Sequence, residues 1–240
     1  ETGDSLTVGV VWNPEFGDHN FTFIADYWEL SLDQGISSLG VQFTLEDCYV
    51  EQNAAACALI TRNSDYSINN IIDAQLNVST ESAAGIDTEF RWNYPSEIGD
   101  LRATVLWTHM LEREQVQFAG NPVDDFVGRY AGAAFAEDKA NFTLQWTKGD
   151  WSVSYLGEYI SGLEGGTGFG LDYTQQIPSQ YYSDIVGSYT YENIVVSAGI
   201  TNITDEAPPF MDTGFNGKTD PSTYRMFGQG YYLRLKWTFE

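Results

Sequence analysis

The feature that most constrains this 240-residue chain is the alternation of short and long connections between its segments. Within each segment apolar and polar residues take turns, which is the pattern of β-strands. Short turns rich in Gly, Pro, Asn and Asp lie at 13–18, 95–99, 148–150 and 192–193. Long polar stretches lie at 29–84, 113–135, 161–180 and 202–228. Short turns on one rim and long loops on the other are typical of an antiparallel barrel that crosses an outer membrane.

The segments predict about nine strands, because a period of two recurs along most of the chain. The alternation is clearest in two segments, whose apolar positions are Phe142, Leu144 and Trp146 in one, and Tyr231, Leu233, Leu235, Trp237 and Phe239 in the other. A soluble β-sandwich also alternates in this way. Alternation alone therefore does not choose between a sandwich and a membrane barrel.

Charges, tryptophans and loop lengths favour the membrane barrel. Full charges on the polar flank of the segments suit a water-filled lumen, and they include Asp87, Glu89, Arg91, Arg234 and Lys236. The tryptophans cluster near segment ends, where the aromatic girdles of membrane barrels lie. A sandwich is expected to space its turns more evenly. We therefore expect an all-β fold that forms a portion of an antiparallel transmembrane β-barrel, with short periplasmic turns and long extracellular loops.

The chain is strongly acidic, with 11 basic residues, 34 acidic residues and a net charge of −23. This charge argues against nucleic acid as a partner, because its phosphates would be repelled. Cations or neutral polar solutes fit better, although acidic residues also simply keep loops solvated. The 15 tyrosines and 7 tryptophans argue against a disordered acidic chain. No apolar run is long enough for a membrane-spanning helix.

Cys48 and Cys57 lie close together in the longest loop. In an oxidising compartment they can close a small ring and constrain a loop that has little core of its own. A metal site would need further ligands nearby, and His19 and His109 are both distant in sequence. We interpret the pair as a disulfide, with free thiols as the alternative.

The direction of the strands indicates that more of the barrel precedes Glu1. Because short turns of bacterial barrels face the periplasm, the last strand runs from the outer surface toward the periplasm. In a series of about nine alternating strands, the first strand also runs from the outer surface toward the periplasm. Another strand must therefore come before it. An isolated sheet would also expose two unpaired edges to lipid. We expect residues 1–240 to be the C-terminal part of a larger barrel.

Several motifs resemble the C-terminal barrel region of TonB-dependent receptors, the energised outer-membrane transporters of Gram-negative bacteria. The most specific is the stretch Gly-Ile-Thr-Asn-Ile-Thr-Asp-Glu-Ala-Pro-Pro at 199–209. It is similar to the Asn-Leu-Phe/Thr-Asp-x-x-Pro-Pro element that precedes the family's final loop and strand. Further similarities to the family's strands, and to the cysteine-bridged loop of one large branch, lie at 1–14, 23–28, 36–40, 47–62 and 81–89. Glu240 departs from the aromatic residue on which these barrels usually end.

The resemblance implies a 22-stranded barrel closed by an N-terminal plug domain, with the plug and the first strands lying before Glu1. It implies a location in the outer membrane of a Gram-negative bacterium, with membrane lipid, the plug and the TonB complex as partners. The implied function is active uptake of a scarce, bulky solute, such as siderophore-bound iron, cobalamin or an oligosaccharide. The alternatives are a passive outer-membrane porin and a soluble, secreted β-rich binding module.

No catalytic constellation is present in the sequence, because His19 and His109 neighbour no nucleophile motif, and we expect no enzyme and no cofactor. Solute contacts are expected on the long loops and near their rim. Aromatic residues there that suit stacking on sugars or siderophore rings are Tyr66, Tyr173, Tyr181, Tyr182, Phe210 and Phe215. The alternative is that the tyrosines belong to the aromatic girdle and to loop packing.

Overall fold

The computed structural model describes residues 1–73, 75–117, 121–166, 173–214 and 217–239. The chain divides into two compact units. Unit 1 comprises Glu1–Leu6, Glu29–Ala84 and Glu112–Asp125. Unit 2 comprises Thr7–Trp28, Gly85–Leu111 and Phe126–Glu240.

Nearly all of the regular structure is β. The strands are β1 (Thr2–Trp12), β2 (Glu15–Phe16), β3 (His19–Ser38), β4 (Ile60–Arg62), β5 (Ile68–Ile71), β6 (Gln75–Tyr94), β7 (Asp100–Val116), β8 (Asp124–Asp125), β9 (Arg129–Tyr130), β10 (Ala134–Phe135), β11 (Asp138–Lys148), β12 (Trp151–Ile160), β13 (Leu163–Gly165), β14 (Gln175–Ile177), β15 (Gln180–Tyr191), β16 (Ile194–Thr201) and β17 (Gly230–Trp237). The helices are α1 (Val41–Tyr49) and α2 (Ala54–Ala58). Within the described ranges, no helix has the length and apolarity that a membrane span requires.

The main sheet has the strand order β1-β3-β6-β7-β11-β12-β15-β16-β17, with β2 paired to β3 and β8 paired to β7. Each neighbouring pair from β7 to β17 along this order is antiparallel. The connections are short after β6, β11 and β15, and long after β3, β7, β12 and β16. The predicted alternation of turns and loops, and the predicted antiparallel all-β fold, are therefore confirmed.

The register of the strands places the apolar positions on one flank of the sheet. Leu144 of β11 lies opposite Ala103 of β7 and Tyr155 of β12. Tyr155 in turn lies opposite Ile185 of β15, which lies opposite Ile200 of β16. Because side chains alternate between the two faces of a strand, these residues share a face. We call this face the apolar flank.

The other face, the polar flank, carries hydroxyl and charged side chains in the same register. Ser188 of β15 lies opposite Ser152 of β12 and Ser197 of β16. Ser197 lies opposite Arg234 of β17. Thr143, next to Leu144 in β11, lies on this face and faces Thr104 across the strand pair. The two flanks thus differ in chemistry over several neighbouring strands, as the sequence alternation predicts.

At the described positions Leu144, Leu233 and Leu235, the apolar flank is not covered by a second protein layer. The exposed fraction is 36% for Leu144, 77% for Leu233 and 68% for Leu235. In a β-sandwich such residues would be packed against the facing sheet. The two-flanked sheet therefore matches a strand wall that meets hydrocarbon on one side.

The long connection after β3 forms a small structure in unit 1. Cys48 at the end of α1 and Cys57 in α2 form a disulfide, which confirms the predicted pairing. Around them lies a small buried cluster, which contains Cys48 and Ala56 and is flanked by Leu39, Phe43, Cys57 and Ile60. The hairpin of β4 and β5 follows directly. The disulfide thus joins two short helices around a small buried cluster.

The buried apolar core of unit 2 is made by its long connections. Four short strands form a separate sheet in the order β10-β9-β13-β14. The core residues around it are Tyr130, Ala136, Ile160, Leu163, Ile177, Met211 and Tyr224. They come from three long connections, after β7, β12 and β16, and from the end of β12, so the loops pack against one another.

Aromatic side chains collect at the short-turn ends of the strands in unit 2. The ring of His19 stacks on Tyr94 with centroids 4.1 Å apart, and Trp92 Nε1 donates a hydrogen bond to His19 Nδ1 at 3.0 Å. Trp151 packs against Tyr189 with ring centroids 4.7 Å apart. Amphipathic rings in this position suit an interface that is apolar on one side and wet on the other.

Candidate functional site: the loop surface of unit 2

Arg225, in the long connection between β16 and β17, ties that loop to two strands. Its guanidinium donates to Glu158 Oε2 of β12 at 3.0 Å and to Asp184 Oδ1 of β15 at 2.8 Å. It also lies over the ring of Tyr182, 5.3 Å from the centroid. Burial lowers the pKa of Arg225, but the hydrogen bonds and negative charges of Asp184 and Glu158 outweigh it and raise that pKa. The guanidinium stays charged and holds the loop to the polar flank.

Asn202 fixes the start of the same loop. Its side-chain amide donates to the carbonyl of Glu206 at 2.9 Å and to the carbonyl of Phe227 at 3.3 Å. Its side-chain oxygen accepts from the backbone N–H of Glu206 at 2.9 Å. Its own backbone N–H donates to Asp184 Oδ1 at 2.8 Å. The side-chain amide thus joins the two ends of the loop, and the backbone N–H of the same residue attaches them to β15.

Asp220 organises a turn in the middle of this loop through its side chain. Its carboxylate accepts from the backbone N–H of Ser222 at 2.9 Å and from Thr223 Oγ1 at 2.7 Å, in the pattern of an Asx turn. Burial raises the pKa of Asp220, but the hydrogen bonds from Ser222 and Thr223 outweigh that effect and hold the pKa below its ordinary value. The turn places Tyr224 in the buried core of unit 2.

An exposed aromatic pair lies at the outer part of these loops. Tyr173 is 49% exposed and donates its hydroxyl to Asp212, and Phe210 is 60% exposed. Gln175 connects them indirectly: its Nε2 donates to the Phe210 carbonyl at 3.1 Å, and its Oε1 accepts at 2.8 Å from the N–H of Asp212, which is the partner of the Tyr173 hydroxyl. The bond to Asp212 raises the pKa of Tyr173. We call these four residues the Tyr173–Phe210 surface.

Comparison with known proteins identifies the fold. No protein-family model and no curated protein matches the chain. Among solved structures, a variant of the ferric enterobactin receptor PfeA of Pseudomonas aeruginosa matches 99% of the chain with a TM-score of 0.61 and 16% identity. The siderophore receptor PirA of Acinetobacter baumannii matches 99% with a TM-score of 0.59 and 16% identity. The outer membrane transporter YddB of Escherichia coli matches 99% with a TM-score of 0.61 and 14% identity.

The chain has the fold of a portion of a TonB-dependent receptor. It spans 31% of the PfeA variant's length and 32% of PirA and of YddB. The expected all-β receptor fold is therefore confirmed over nearly the whole chain, while about two thirds of each matching structure lies outside it.

The structure brings two of the six predicted contact residues of this receptor fold together, namely Tyr173 and Phe210. Tyr181 lies on the apolar flank opposite Tyr159, and its hydroxyl is 2.8 Å from that of Tyr155. This position suits the girdle alternative.

The remaining predicted residues lie in other settings. Tyr182, next in the chain to Tyr181, is fully buried under Arg225. Tyr66 is 82% exposed at the tip of the β4–β5 hairpin in unit 1. Phe215 lies outside the described residues. Gln175 and Arg225 were not predicted from the sequence, because single polar residues in long loops carry no periodic signal.

The two histidines have structural partners in the receptor fold. His109 Nδ1 lies 2.9 Å from Asp138 Oδ1, to which Trp107 Nε1 also donates at 2.9 Å. His19 belongs to the aromatic stack at the short-turn end. Over the ranges that the structure describes, no group of three His, Cys, Asp or Glu side chains is arranged to hold a metal ion.

Proposed function

We propose that this chain is the C-terminal part of the barrel of a TonB-dependent receptor in the outer membrane of a Gram-negative bacterium. The observation that carries the proposal is the two-flanked sheet, on which Leu144 and its neighbours are exposed on one face while hydroxyl and charged residues share the other. The first face suits lipid and the second suits an aqueous interior. The likeness of the fold to outer-membrane receptors supports the same location.

The proposal includes further strands and a plug domain outside this chain. In the main sheet, β1 and β17 each pair with one neighbour, β3 and β16. In lipid, unsatisfied backbone groups of an edge strand cost several kcal/mol each, so both edges require partners. The remaining strands of the same receptor supply them, and a plug would close the wide lumen.

We propose active, TonB-energised uptake of a scarce, bulky solute, with the Tyr173–Phe210 surface as a contact region. Exposed aromatic rings beside a carboxylate and an amide can both stack on a ring and hydrogen-bond to its substituents. A structural relative was crystallised in complex with enterobactin, which supports a small-molecule ligand for the fold. The solute classes to be compared are siderophore-bound iron, cobalamin and oligosaccharides.

The test uses the full-length protein that contains this chain. Cells carrying it in place of the deleted gene are fractionated, and uptake of labelled ferric siderophores, cobalamin and oligosaccharides is measured with and without TonB. We expect the protein in the outer-membrane fraction and uptake of one solute class that disappears without TonB. Uptake that persists without TonB would support a passive porin instead. A soluble, monodisperse protein outside the membrane fraction would support a secreted binding module.

The contact region is tested separately by substitution. We expect the double variant Tyr173→Ala/Phe210→Ala to lower the affinity for the identified solute by about tenfold or more, because both stacking rings are lost. A tenfold loss of affinity corresponds to about 1.4 kcal/mol of binding free energy. Tyr191→Ala removes a tyrosine of similar exposure, 61%, beside a short turn, and is the control. Equal effects of the two changes would show that the Tyr173–Phe210 surface has no special part in binding.

A further inference from the structure

The Tyr173–Phe210 surface has a free polar group as well as exposed rings, and this group limits what a solute can present to it. The rings of Tyr173 and Phe210 offer flat apolar faces, since the two residues are 49% and 60% exposed. Stacking alone accepts the apolar face of almost any ring. The class of solute therefore depends on the hydrogen-bonding atoms beside the rings.

Asp212 supplies a free acceptor at this surface. Its Oδ2 accepts from the Tyr173 hydroxyl, and its backbone N–H donates to Gln175 Oε1 at 2.8 Å. Its other carboxylate oxygen, Oδ1, makes no hydrogen bond within the residues that the structure describes, and it is not among the unpartnered atoms buried there. The residue is only partly buried, so a solute can reach this oxygen. Because an ionised carboxylate accepts and cannot donate, Oδ1 selects a partner with O–H or N–H groups.

Gln175 holds this acceptor in place. Its side-chain amide bridges the backbone at Phe210 and Asp212, with Nε2 donating at 3.1 Å and Oε1 accepting at 2.8 Å. The hydroxyl of Tyr173 is fixed at the same time, because its one proton goes to Asp212. The acceptor and the neighbouring ring are therefore arranged before a solute arrives, which lowers the entropy cost of binding.

The charge of the loops disfavours an anion at this surface. The connection at 202–228 contains 4 acidic and 2 basic residues, and the connection at 161–180 contains 2 acidic residues and no basic residue. Both basic residues are engaged: Arg225 forms ion pairs with carboxylates of β12 and β15, and Lys218 Nζ donates to the backbone carbonyl of Asp212 at 2.7 Å. An anion that approaches Oδ1 therefore meets an acceptor and a surplus of negative charge.

On the basis of the proposed uptake function, we infer that the solute is an oligosaccharide that presents an uncharged sugar ring to the Tyr173–Phe210 surface. The C–H face of the sugar packs on the exposed aromatic rings, and one of its hydroxyl groups donates to Asp212 Oδ1. A sugar carries the C–H face and the donor on one small ring, so both contacts are made at one place. A polyanionic ferric chelate offers acceptors where the surface needs a donor, and cobalamin carries its donors on side chains around a much larger ring.

The test is equilibrium binding to the purified full-length protein, in a detergent without a sugar headgroup. The probes are short neutral oligosaccharides of glucose, xylose, galactose and mannose, with ferric enterobactin as the polyanion and cyanocobalamin as the third class. We expect saturable binding of at least one oligosaccharide and much weaker binding of the other two probes. The inference is overturned if every oligosaccharide fails to bind, or if ferric enterobactin or cyanocobalamin binds more tightly.

Removal of one charge has opposite effects on a sugar and on an anion. Asp212→Asn keeps an oxygen for the Tyr173 hydroxyl but loses the charged acceptor, and it should weaken oligosaccharide binding about fivefold, since charge-assisted hydrogen bonds are roughly twice as strong as neutral ones. The same change would strengthen the binding of an anion. Asp18→Asn is the matched control, because it makes this substitution at an exposed short turn of unit 2 and should leave the affinity within about twofold. Unchanged or tighter oligosaccharide binding in Asp212→Asn would contradict the assigned contact.

Lys218→Gln is a second test, which also decides the matter if Asp212→Asn does not fold. The variant keeps a donor for the Asp212 carbonyl and removes the positive charge beside it. Affinity for an uncharged sugar should stay within about twofold, whereas a larger loss would show that the surface binds anions. Failure of the proposed function is a separate result: oligosaccharide binding without TonB-dependent uptake would contradict the transporter alone. TonB-dependent uptake of a ferric siderophore without oligosaccharide binding would contradict the sugar contact alone.

Discussion

Asn202 explains at the residue scale why the stretch at 199–209 has so distinctive a sequence. It is 1% exposed and has a φ of 49°, in the left-handed region that few residues other than Gly adopt. Asn tolerates this conformation, and its amide offers both donors and an acceptor to the surrounding backbone. The three side-chain hydrogen bonds to Glu206 and Phe227 use all of these properties at once.

Replacement of Asn202 by Ala is expected to destabilise the loop strongly. The substitution leaves backbone groups of Glu206 and Phe227 without partners and keeps the left-handed conformation, at a cost of roughly 2–4 kcal/mol. The measurement is the free energy of urea unfolding of the full-length protein in phospholipid vesicles. Asn193→Ala is the control, since Asn193 makes one exposed hydrogen bond to the Thr238 carbonyl and should cost much less. Equal losses for both variants would contradict this role of Asn202.

Tyr181 and Tyr182 show what could be predicted at the residue scale and what could not. Their opposite faces follow from the two-residue period of the strand, which the sequence displays. Their burial does not follow from it, because Tyr182 is covered by Arg225 from a loop far along the chain. Contacts with residues far along the chain leave no local sequence pattern. The aromatic residues predicted to contact the solute therefore include both exposed and buried rings.

At the scale of elements, the long strands were predictable and the small ones were not. β11 and β17 each show several apolar–polar alternations, which is enough to recognise a period of two. β9 and β10 contain two residues each and have no measurable period. The five-residue α2 likewise had no sequence signal of its own. The packed loop core of unit 2 therefore became visible only in the structure.

The disulfide between Cys48 and Cys57 is expected to stabilise α1 and α2 locally. It closes a ring with a sequence separation of 9, and chain entropy for a ring of this size corresponds to about 2–3 kcal/mol. The double variant Cys48→Ser/Cys57→Ser should therefore show faster amide hydrogen exchange in residues 41–58 and little change in the long strands. Reduction of the wild-type protein should reproduce this change and leave the double variant unaffected. Unchanged exchange in α1 and α2 would contradict the prediction.

The loop between β16 and β17 is expected to lose stability in acid through Asp220. The pKa of Asp220 in the folded chain lies below its ordinary value of 3.8, so its contribution is fully present above that pH. The contribution is lost as the pH falls below 3.8 through the lower, folded value. Hydrogen exchange of residues 217–225, corrected for the intrinsic pH dependence, should therefore accelerate in this range.

Asp220→Asn tests the assignment of this pH dependence. The variant cannot accept the same charge-assisted hydrogen bonds, so its loop should already exchange faster at neutral pH and change little on acidification. Asp150→Asn, at an exposed short turn, is the matched control and should retain the wild-type profile. An acid transition that persists in Asp220→Asn would assign the effect to another group.

At the scale of the whole molecule, the chemistry of the two flanks decides which surroundings suit each face of the sheet. Leu144 and Thr143 are neighbours in the middle of β11 and lie on opposite flanks, with Ala103 and Thr104 as their respective partners on β7. Because the two residues are adjacent in one strand, a difference between substitutions at the two positions mainly reports the surroundings of each flank. The difference between the two flanks was predictable from the sequence alternation.

Introduction of a lysine at these two positions separates the membrane barrel from a soluble fold. In a barrel, Leu144→Lys places an ammonium group in the hydrocarbon and should cost about 2–4 kcal/mol, whereas Thr143→Lys faces the aqueous interior and should be tolerated. The measurement is the heat-modifiable folded fraction of the full-length protein in the outer membrane, compared at equal expression. We expect a marked loss of folded protein for Leu144→Lys alone. Equal folding of the two variants, or a larger loss for Thr143→Lys, would mean that the apolar flank does not face lipid, because only hydrocarbon on that side makes the two neighbouring positions so unequal for a charge.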